Sequence, residues 1–196
     1  MLWRCILKVS KAQSEANRQA VVEAAGRSFR EHGVRGVAVA DLMQAVGLTH
    51  GGFYKKFGSR DDLVREAMAR ALTTSRQRLT NRVARATSDP FAVLVASYLS
   101  RGHCENIAEG CAFAALSPEV SRSGDEALKE IFSDELERYL ELVEGVMTAE
   151  PDKETRNRAI ATFSAMVGGL ILSRVAQDPA LAETILTATA DELLKD

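Results

Sequence analysis

Residues 40–57 read ADLMQAVGLTHGGFYKKF, and this stretch decides how the chain is interpreted. Leu42 and Val46 lie four residues apart, which gives a first short helix one apolar face. Gly47 follows at a point where the chain must reverse, and glycine favours the left-handed backbone that such a reversal needs. Phe53 and Phe57, again four apart, predict a second short helix packed against the first. The pattern therefore predicts a helix-turn-helix.

The outward face of the second predicted helix is unusual for a helix that only packs. Thr49 is a suitable N-cap, but a glycine inside a helix costs roughly 1 kcal/mol relative to alanine, and this helix begins with two. Such a pair permits close approach of a bulky partner, while a helix N-terminus, a tyrosine hydroxyl and lysines suit phosphate groups. We therefore predict a DNA-binding surface whose residues are Thr49, His50, Gly51, Gly52, Tyr54, Lys55, Lys56 and Arg60.

Individual roles on this surface stay open at this point. His50 suits either a base edge or a phosphate. Lys55 suits a base contact or a general electrostatic contribution. Lys8, Lys11 and Arg18 form either an arm that touches DNA or a solvated tail.

Composition and length limit the class of protein. The chain has 196 residues, of which 46% are hydrophobic and 27% are charged. These ordinary values exclude wholesale disorder and a disulfide-stapled miniprotein. No run approaches the roughly 20 apolar residues that cross a bilayer, and no signal-peptide cleavage site follows the first apolar residues. We expect a cytoplasmic protein without membrane contact.

The overall net charge of −2 conceals a strong asymmetry. Residues 1–60 carry ten basic and four acidic side chains, a net charge of +6, whereas the remainder carries fifteen basic and twenty-three acidic side chains, a net charge of −8. One end of the chain is thus suited to approach a polyanion that the other end repels.

The periodicity predicts an all-α protein. Long stretches of good helix formers alternate with short breaks, and three Asp-Pro or Ser-Pro pairs, at Pro90, Pro118 and Pro179, are typical of helix starts or boundaries. Glu150-Pro151 predicts a connector. Besides the two short helices, we expect helices over residues 11–32, 60–85, 90–106, 112–120, 125–147, 152–177 and 179–194. The predicted domains are a three-helix DNA-binding domain over residues 1–58 and a six-helix domain over residues 59–196.

Aromatic and polar residues of the second domain are candidates for the lining of a pocket. The candidates are Phe91, Tyr98, His103, Cys111, Phe113, Phe132 and Tyr139. Each of them alone is also compatible with an ordinary core position. The acidic run Ser133–Glu137 predicts a solvated face of a helix that turns Leu136 and Tyr139 inward.

The chemistry of the remaining residues argues against an enzyme and against a metal site. Cys104 and Cys111 lie seven residues apart, which is not a zinc spacing, and no G-x-S-x-G turn or comparable catalytic arrangement is present. We predict no catalytic residues, no metal and no cofactor. Cys111 has two interpretations, an inert buried thiol or a reactive thiolate that senses oxidants or electrophiles.

The last two predicted helices carry more apolar surface than packing against the core of a single protomer requires. Gly168 and Gly169 permit close helix approach there. This surface fits a four-helix interface across a two-fold axis, although an ordinary buried helix pair remains the alternative. The predicted dimer-interface residues are Ile160, Phe163, Val167, Gly168, Leu170, Ile171, Leu181 and Ile185.

The residues above resemble those of a known family. Leu42–Gly47, Leu48–Tyr54, Phe57 and Ser59–Leu63, together with Ala24–Gly33 upstream, look like the DNA-binding domain of the tetracycline-repressor-like (TetR/AcrR) family. The detailed resemblance covers residues 14–66, and Gly110–Phe113 and Val167–Leu172 are similar to stretches of that family's ligand-binding domain.

The resemblance implies a homodimeric repressor of a palindromic double-stranded DNA operator, released by a small-molecule effector. It also implies that residues 59–196 form the effector-binding and dimerisation domain, with the effector pocket among the candidates named above. His50 and Gly51 fall where members approach bases, and Tyr54 falls on a tyrosine that contacts phosphate. Lys56 and Arg60 stand where a histidine and a lysine are usual. Ala38 and Val39 depart from the family, because members often place hydroxyl side chains there to cap the helix and bind phosphate.

Two alternatives from other classes accompany this interpretation. A helical interaction module would use the basic end against an acidic protein and would not prefer duplex DNA over heparin. A redox enzyme that depends on Cys111 would lose its turnover in Cys111→Ser.

Overall fold

The computed structural model describes residues 10–195, so the N-terminal arm with Lys8 and Cys5 lies outside the described residues. All regular structure within residues 10–195 is helical, which confirms the predicted fold class. A 3₁₀ turn occupies His50–Gly52, and the nine α-helices described are α1 (Lys11–His32), α2 (Val39–Ala45), α3 (Arg60–Ala84), α4 (Pro90–Tyr98), α5 (Arg101–Glu105), α6 (Ala112–Ser121), α7 (Glu126–Met147), α8 (Lys153–Val175) and α9 (Pro179–Leu193).

Side-chain caps fix where most of these helices begin. Ser59 accepts a hydrogen bond from the amide of Asp62 and starts α3. Asp89 and Asp178 cap α4 and α9, each with a proline at the first helical position, where a missing N–H costs nothing. The predicted helix starts at Pro90 and Pro179 are confirmed.

Two predicted helix boundaries are wrong. Pro118 lies inside α6 and not at its start; the helix begins six residues earlier and continues three residues past the proline. The helix predicted over residues 90–106 is broken at Leu99, because Ser100 adopts extended backbone and caps the new helix α5 through the amide of His103. Serine caps of this kind compete with helix continuation.

Helix α3 joins the two parts of the fold. It packs against α1 on one side and against α4 and α7 on the other. The buried apolar residues of both parts consequently form one continuous core. The division into residues 1–58 and 59–196 remains a prediction, since α3 belongs to both packing units.

Helix α7 buries Tyr139 as predicted, but two residues of its acidic run differ from the prediction. Glu135 is buried and accepts hydrogen bonds from Arg76, at 2.5 Å, and Arg138, at 2.9 Å. Leu136, expected inside, is exposed. The prediction failed because a charged residue was assumed to face solvent, whereas two arginines compensate this carboxylate and allow its burial.

Helix α8 combines a buried face with an exposed apolar face. Among the described helices it is the one whose length and composition would let it span a bilayer. One face, which includes Phe163 and Leu170, is buried in the core, whereas Ile160, Leu172 and Val175 are exposed. The apolar character of α8 is thus that of a core helix with an additional apolar strip.

Candidate nucleic-acid interface and internal cavity

Aromatic packing holds the segment after α2 in place. Phe53 and Phe57 are buried, and their rings stack with centroids 5.3 Å apart. Gly47 has a φ of +70°, as predicted, and the chain reversal is closed by a 2.8 Å hydrogen bond from the amide of Leu48 to the carbonyl of Met43. The inner side of residues 49–57 is therefore rigidly supported.

The second element of the motif is shorter and tighter than the predicted helix. His50–Gly52 form a 3₁₀ turn, and Phe53 continues it with hydrogen bonds from the amides of Lys56 and Phe57 to its carbonyl, at 2.8 and 3.0 Å. Thr49 occupies the predicted N-cap position with extended backbone, but its side chain makes no capping hydrogen bond. The low helix propensity of two successive glycines explains the irregular start.

The outer side of this segment is exposed and carries no carboxylate. Tyr54 is 71% exposed and touches the edge of buried Phe53, with ring centroids 5.1 Å apart. Thr49, His50, Gly51 and Lys55 are also exposed. Between Asp41 and Asp61 the sequence contains no acidic residue. A surface of this kind, with donors and cations and no competing anion, is suited to phosphate groups.

The fold itself does not require the two glycines of this surface. Neither has a positive φ. A Cβ added to Gly51 would meet no atom within 4 Å, and one added to Gly52 would make only ordinary contacts, at 3.5 Å to Met43. Internal packing among residues 10–195 would therefore accept a side chain at Gly51, and the fold does not account for this glycine.

Lys56 and Arg60 are partly occupied by contacts within the chain. The ammonium of Lys56 donates to the carbonyl of Ser14 at 3.1 Å. The guanidinium of Arg60 donates to the carbonyls of Val34, at 2.6 Å, and Val37, at 3.3 Å. Arg60 therefore fastens the loop before α2 to the start of α3, in addition to any contact with DNA.

Arg18 is a structural residue and not part of a solvated tail. Its guanidinium forms a bidentate ion pair with Glu66 of α3, lies 5.0 Å above the centroid of the Phe57 ring and donates to the carbonyl of Lys56 at 3.2 Å. It ties α1, α3 and the segment after the 3₁₀ turn together. Lys11 is exposed at the start of α1. At the start of α2, Ala38 provides no side-chain cap, as the sequence predicts.

A cavity of about 430 Å³ lies between α3, α4, α5 and the segment before α6. Of the predicted pocket residues, Tyr98, His103, Cys111 and Tyr139 line it. Phe113 and Phe132 do not; they are buried edge to face beside it, with centroids 5.5 Å apart. Phe91 is partly buried against the core and also does not line the cavity.

His103 is held as a neutral imidazole in the cavity wall. Its Nδ1 donates to the carbonyl of Tyr98 at 2.6 Å, and its Nε2 accepts from the amide of Cys111 at 2.9 Å. A nitrogen that accepts a hydrogen bond carries no proton. Burial lowers the pKa of His103, and the nearby Arg174 and Arg82 lower it further. His103 therefore fixes the shape of the wall.

Two buried hydroxyl groups of the wall differ in their partners. Tyr139 shares a 2.6 Å hydrogen bond with Ser75. The hydroxyl of Tyr98 is buried and has no hydrogen-bond partner among residues 10–195. Burial raises the pKa of Tyr98 well above its usual value, so this hydroxyl stays a neutral donor. A buried donor without an acceptor lowers the stability of the fold, unless a ligand accepts a hydrogen bond from it.

The segment Asn106–Cys111 connects the cavity to α1, and sequence reasoning missed this connection. Glu109 lines the cavity and forms ion pairs with Arg27 of α1 and Arg78 of α3. The buried guanidinium of Arg30 donates to the carbonyl of Ala108 at 2.5 Å. The sequence held one indication that Arg30 is buried. Val22, Gly26 and Arg30 follow one another at intervals of four residues, which places Arg30 on the buried face of α1.

The predicted dimer-interface residues divide between the core and the surface of the protomer. Phe163 and Leu170 are buried in the core and lie behind the surface. Ile160 and Leu181 are exposed, and Val167, Gly168, Ile171 and Ile185 are partly buried. Leu172 and Val175, 59% and 72% exposed, extend the same apolar surface and were missed. Both faces of α8 are apolar, so the periodicity did not separate the inner from the outer one.

The two glycines of α8 have different environments. A Cβ added to Gly169 would lie 3.0 Å from the Thr189 hydroxyl oxygen of α9 and 3.3 Å from Leu99, whereas one added to Gly168 would meet nothing within 4 Å. Gly169 is therefore needed for packing within the protomer. Gly168 is not.

Metal and thiol chemistry have little support in the described part of the chain. Within residues 10–195, no three His, Cys, Asp or Glu side chains converge on a point that a metal ion could occupy. Burial raises the pKa of the Cys111 thiol. Cys104 is partly buried, 3.2 Å from the hydroxyl of Ser173.

The sequence and the fold of this chain were compared with those of known proteins. Residues 21–67 match the family described as "Bacterial regulatory proteins, tetR family". No curated protein matches the chain.

Solved structures share the whole fold at low sequence identity. A TetR-family transcriptional regulator from Cytophaga hutchinsonii is 18% identical, with a TM-score of 0.77, covering 96% of this chain and 100% of that one. The reduced form of NemR from E. coli is 15% identical, with a TM-score of 0.75 and coverage of 91% and 95%. A TetR transcriptional regulator from Chloroflexus aurantiacus is 21% identical, with a TM-score of 0.74 and coverage of 94% and 98%.

Proposed function

We propose that this chain is a DNA-binding transcriptional regulator of the TetR family and that it acts as a homodimeric repressor of a palindromic operator, released when a small organic molecule enters its cavity. The site of action is the cytoplasm, and the chain carries out no catalytic step. The observation that carries the proposal is the exposed surface of Thr49, His50, Gly51, Tyr54 and Lys55, with a glycine that the fold does not need.

The electrostatics of this surface support contact with the DNA backbone. Lys55 and Tyr54 lie beside each other, exposed, without a neighbouring carboxylate. Tyr54 donates its hydroxyl to a phosphate, Lys55 supplies charge, and the bare backbone at Gly51 lets the segment enter the major groove. His50, at the start of the 3₁₀ turn, is the side chain placed to reach a base edge.

The exposed apolar strip of α8 and α9 supports the homodimer. Ile160, Leu172, Val175 and Leu181 are exposed on these two helices, and several large exposed apolar side chains on neighbouring helices are typical of an interaction site. Gly168 leaves space on the same helix for the backbone of a partner helix. A two-fold axis through this strip brings two recognition surfaces to successive major grooves.

The contacts of Asn106–Cys111 support release by an effector. This segment forms part of the cavity wall and is bonded to α1 through Arg27 and Arg30. A ligand that displaces the segment thereby moves α1 and, through Arg18, the recognition segment. Such a ligand lowers DNA affinity only if it binds the displaced arrangement more tightly.

A redox-sensing function of Cys111 is the less favoured alternative. Its thiol is buried, and its raised pKa keeps it protonated at neutral pH, whereas a reactive cysteine needs an accessible thiolate.

Selection of bound sequences from random duplex DNA tests the proposal. The expected result is an enriched two-fold symmetric site with half-site centres about 34–36 Å apart, and a changed preference at defined positions for His50→Ala. An unchanged sequence preference for His50→Ala would place base recognition elsewhere. Binding that prefers heparin to every duplex would contradict the repressor function.

A further inference from the structure

Two cationic groups at the cavity have no carboxylate partner. Arg82 lines the cavity, and among residues 10–195 no acidic group pairs with it. Arg174 lies directly behind the wall and donates only to the carbonyls of Cys104, at 3.1 Å, and His103, at 2.9 Å. Burial lowers the pKa of Arg174, which reflects the cost of a desolvated charge without a counter-ion.

The acidic group of the wall does not neutralise these cations. Glu109 is already shared by Arg27 and Arg78 in two ion pairs. His103 is neutral, because its Nε2 accepts from the amide of Cys111. The cavity is therefore electropositive although the domain around it is acidic overall. An anion that enters it gains the field of Arg82 and Arg174 in a partly desolvated site.

The rest of the cavity wall is apolar and aromatic, and it contains one hydroxyl donor, that of Tyr98. Leu79, Tyr98 and Tyr139 supply the apolar surface. The buried hydroxyl of Tyr98 makes no regular hydrogen bond, because the group beside it is the Cys111 thiol, which is only a weak acceptor. A ligand with an acceptor oxygen would complete this hydroxyl and remove its desolvation cost.

We propose that the effector of this regulator is a small aromatic carboxylate, with its ring against Tyr98 and Tyr139 and its carboxylate between Arg82 and the Tyr98 hydroxyl. This inference rests on the proposed function for its regulatory meaning, but the binding itself does not. Among the described residues that line the cavity, Arg82 is the one guanidinium without a carboxylate partner. Together with one neutral donor it matches a monoanion, whereas a phosphate dianion would demand more cationic groups in direct contact. The cavity volume of about 430 Å³ suits a ligand of one or two rings.

Calorimetric titration of the purified protein tests the proposed class. The probes are benzoate, 4-phenylbutyrate and 2-naphthoate, each paired with its neutral carboxamide. The expected result is binding of at least one carboxylate in the millimolar range or tighter, with its amide bound at least tenfold more weakly. Equal binding of acid and amide, tighter binding of phenyl phosphate, or no binding of any carboxylate at millimolar concentration would each overturn the proposal.

Two variants locate the binding site. Arg82→Gln should weaken carboxylate binding about tenfold and leave amide binding unchanged, whereas Arg85→Gln, an exposed arginine one turn further along that does not line the cavity, should change neither. Tyr98→Phe should weaken binding while the protein remains at least as stable, since it removes an unpaired buried hydroxyl. Unchanged affinity in both cavity variants would overturn the assignment.

A parallel measurement of operator binding separates this inference from the proposed function. A carboxylate that binds and also releases DNA supports both. A carboxylate that binds without affecting DNA supports the ligand class and contradicts effector release. Release of DNA by the neutral amide alone overturns the ligand class and leaves effector release intact.

Discussion

At the residue scale, neighbours in the chain have opposite tasks. Phe53 is 1% exposed and Tyr54 is 71% exposed, so one ring anchors the recognition segment and the other is presented to a partner. In the cavity wall, both ring nitrogens of His103 form hydrogen bonds with the main chain. The hydroxyl of Tyr98 next to it forms no regular hydrogen bond. The residues proposed to bind are those whose polar groups the fold leaves unused.

Removal of single polar groups from the recognition surface should weaken binding to all duplex sequences alike. Tyr54→Phe deletes one proposed phosphate hydrogen bond, worth about 1 kcal/mol or roughly a fivefold loss of affinity. Lys55→Gln should also flatten the dependence of log affinity on log salt by about one. Fluorescence anisotropy at several salt concentrations measures both effects.

The matched control for the lysine is Lys153→Gln at the exposed start of α8. It should leave affinity and salt dependence unchanged. Equal effects of the two lysine substitutions would show that the charge acts only through the net charge of the protein.

The neutral state of His103 should make stability depend on pH. The folded protein lowers the pKa of His103, mainly by burial, so the unfolded chain binds more protons as the pH falls below about 6.5. The free energy of unfolding should therefore decrease between about pH 7 and pH 5, and His103→Gln should remove part of that decrease. Urea unfolding at the two pH values measures it; the same pH dependence in His32→Gln and His103→Gln would contradict the assignment.

At the element scale, sequence patterns predicted the helices better than their faces. The bounds of α1 and the reversal at Gly47 follow from local signals, namely apolar spacing and glycine. The burial of Glu135 in α7 does not, because it depends on Arg76, which lies 59 residues earlier in the chain. The roles of Arg18 and Arg30 were missed for the same reason: their partners become neighbours only in the folded chain.

Gly51→Ala should separate folding from DNA binding. The added methyl group meets no atom within 4 Å and the backbone has no positive φ, so the substitution should stabilise the fold by about 0.4–1 kcal/mol. Operator affinity should nevertheless fall roughly tenfold, because the methyl group obstructs close approach to DNA. Thermal unfolding and anisotropy measure the two properties.

The control is Gly145→Ala in α7, where a Cβ would also meet nothing. It should stabilise the fold without changing DNA affinity. A Gly51→Ala variant that keeps full affinity would indicate that the glycine serves no interface.

At the scale of the whole molecule, one chain is organised around α3, which touches both the recognition part and the cavity part. The basic N-terminal part and the acidic C-terminal part are therefore packed against a shared helix. The cavity wall at Glu109 is bonded to α1, and α1 is bonded to the recognition segment. This arrangement gives a ligand a physical route to the DNA-binding surface, although the surface and the cavity share no residue.

Gly168→Leu should prevent dimerisation and leave the protomer folded. The leucine has space within the protomer, but it would occupy the position proposed for the partner helix. Light scattering should report a monomer with unchanged helical circular dichroism, and operator affinity should collapse because two half-sites are no longer bound together. Gly145→Leu, on α7, should remain dimeric; a dimeric Gly168→Leu protein would move the interface elsewhere.

The most direct test of the account asks whether the surface around Tyr54 touches DNA. Tyr54 is replaced by the photo-crosslinker p-benzoylphenylalanine, and a second protein carries the same group in place of Leu136, exposed on α7. After irradiation with the selected duplex, the account predicts DNA crosslinks within each half-site from position 54 and none from position 136. Comparable crosslinking from both positions, or none from position 54 under conditions where the duplex is bound, would contradict it.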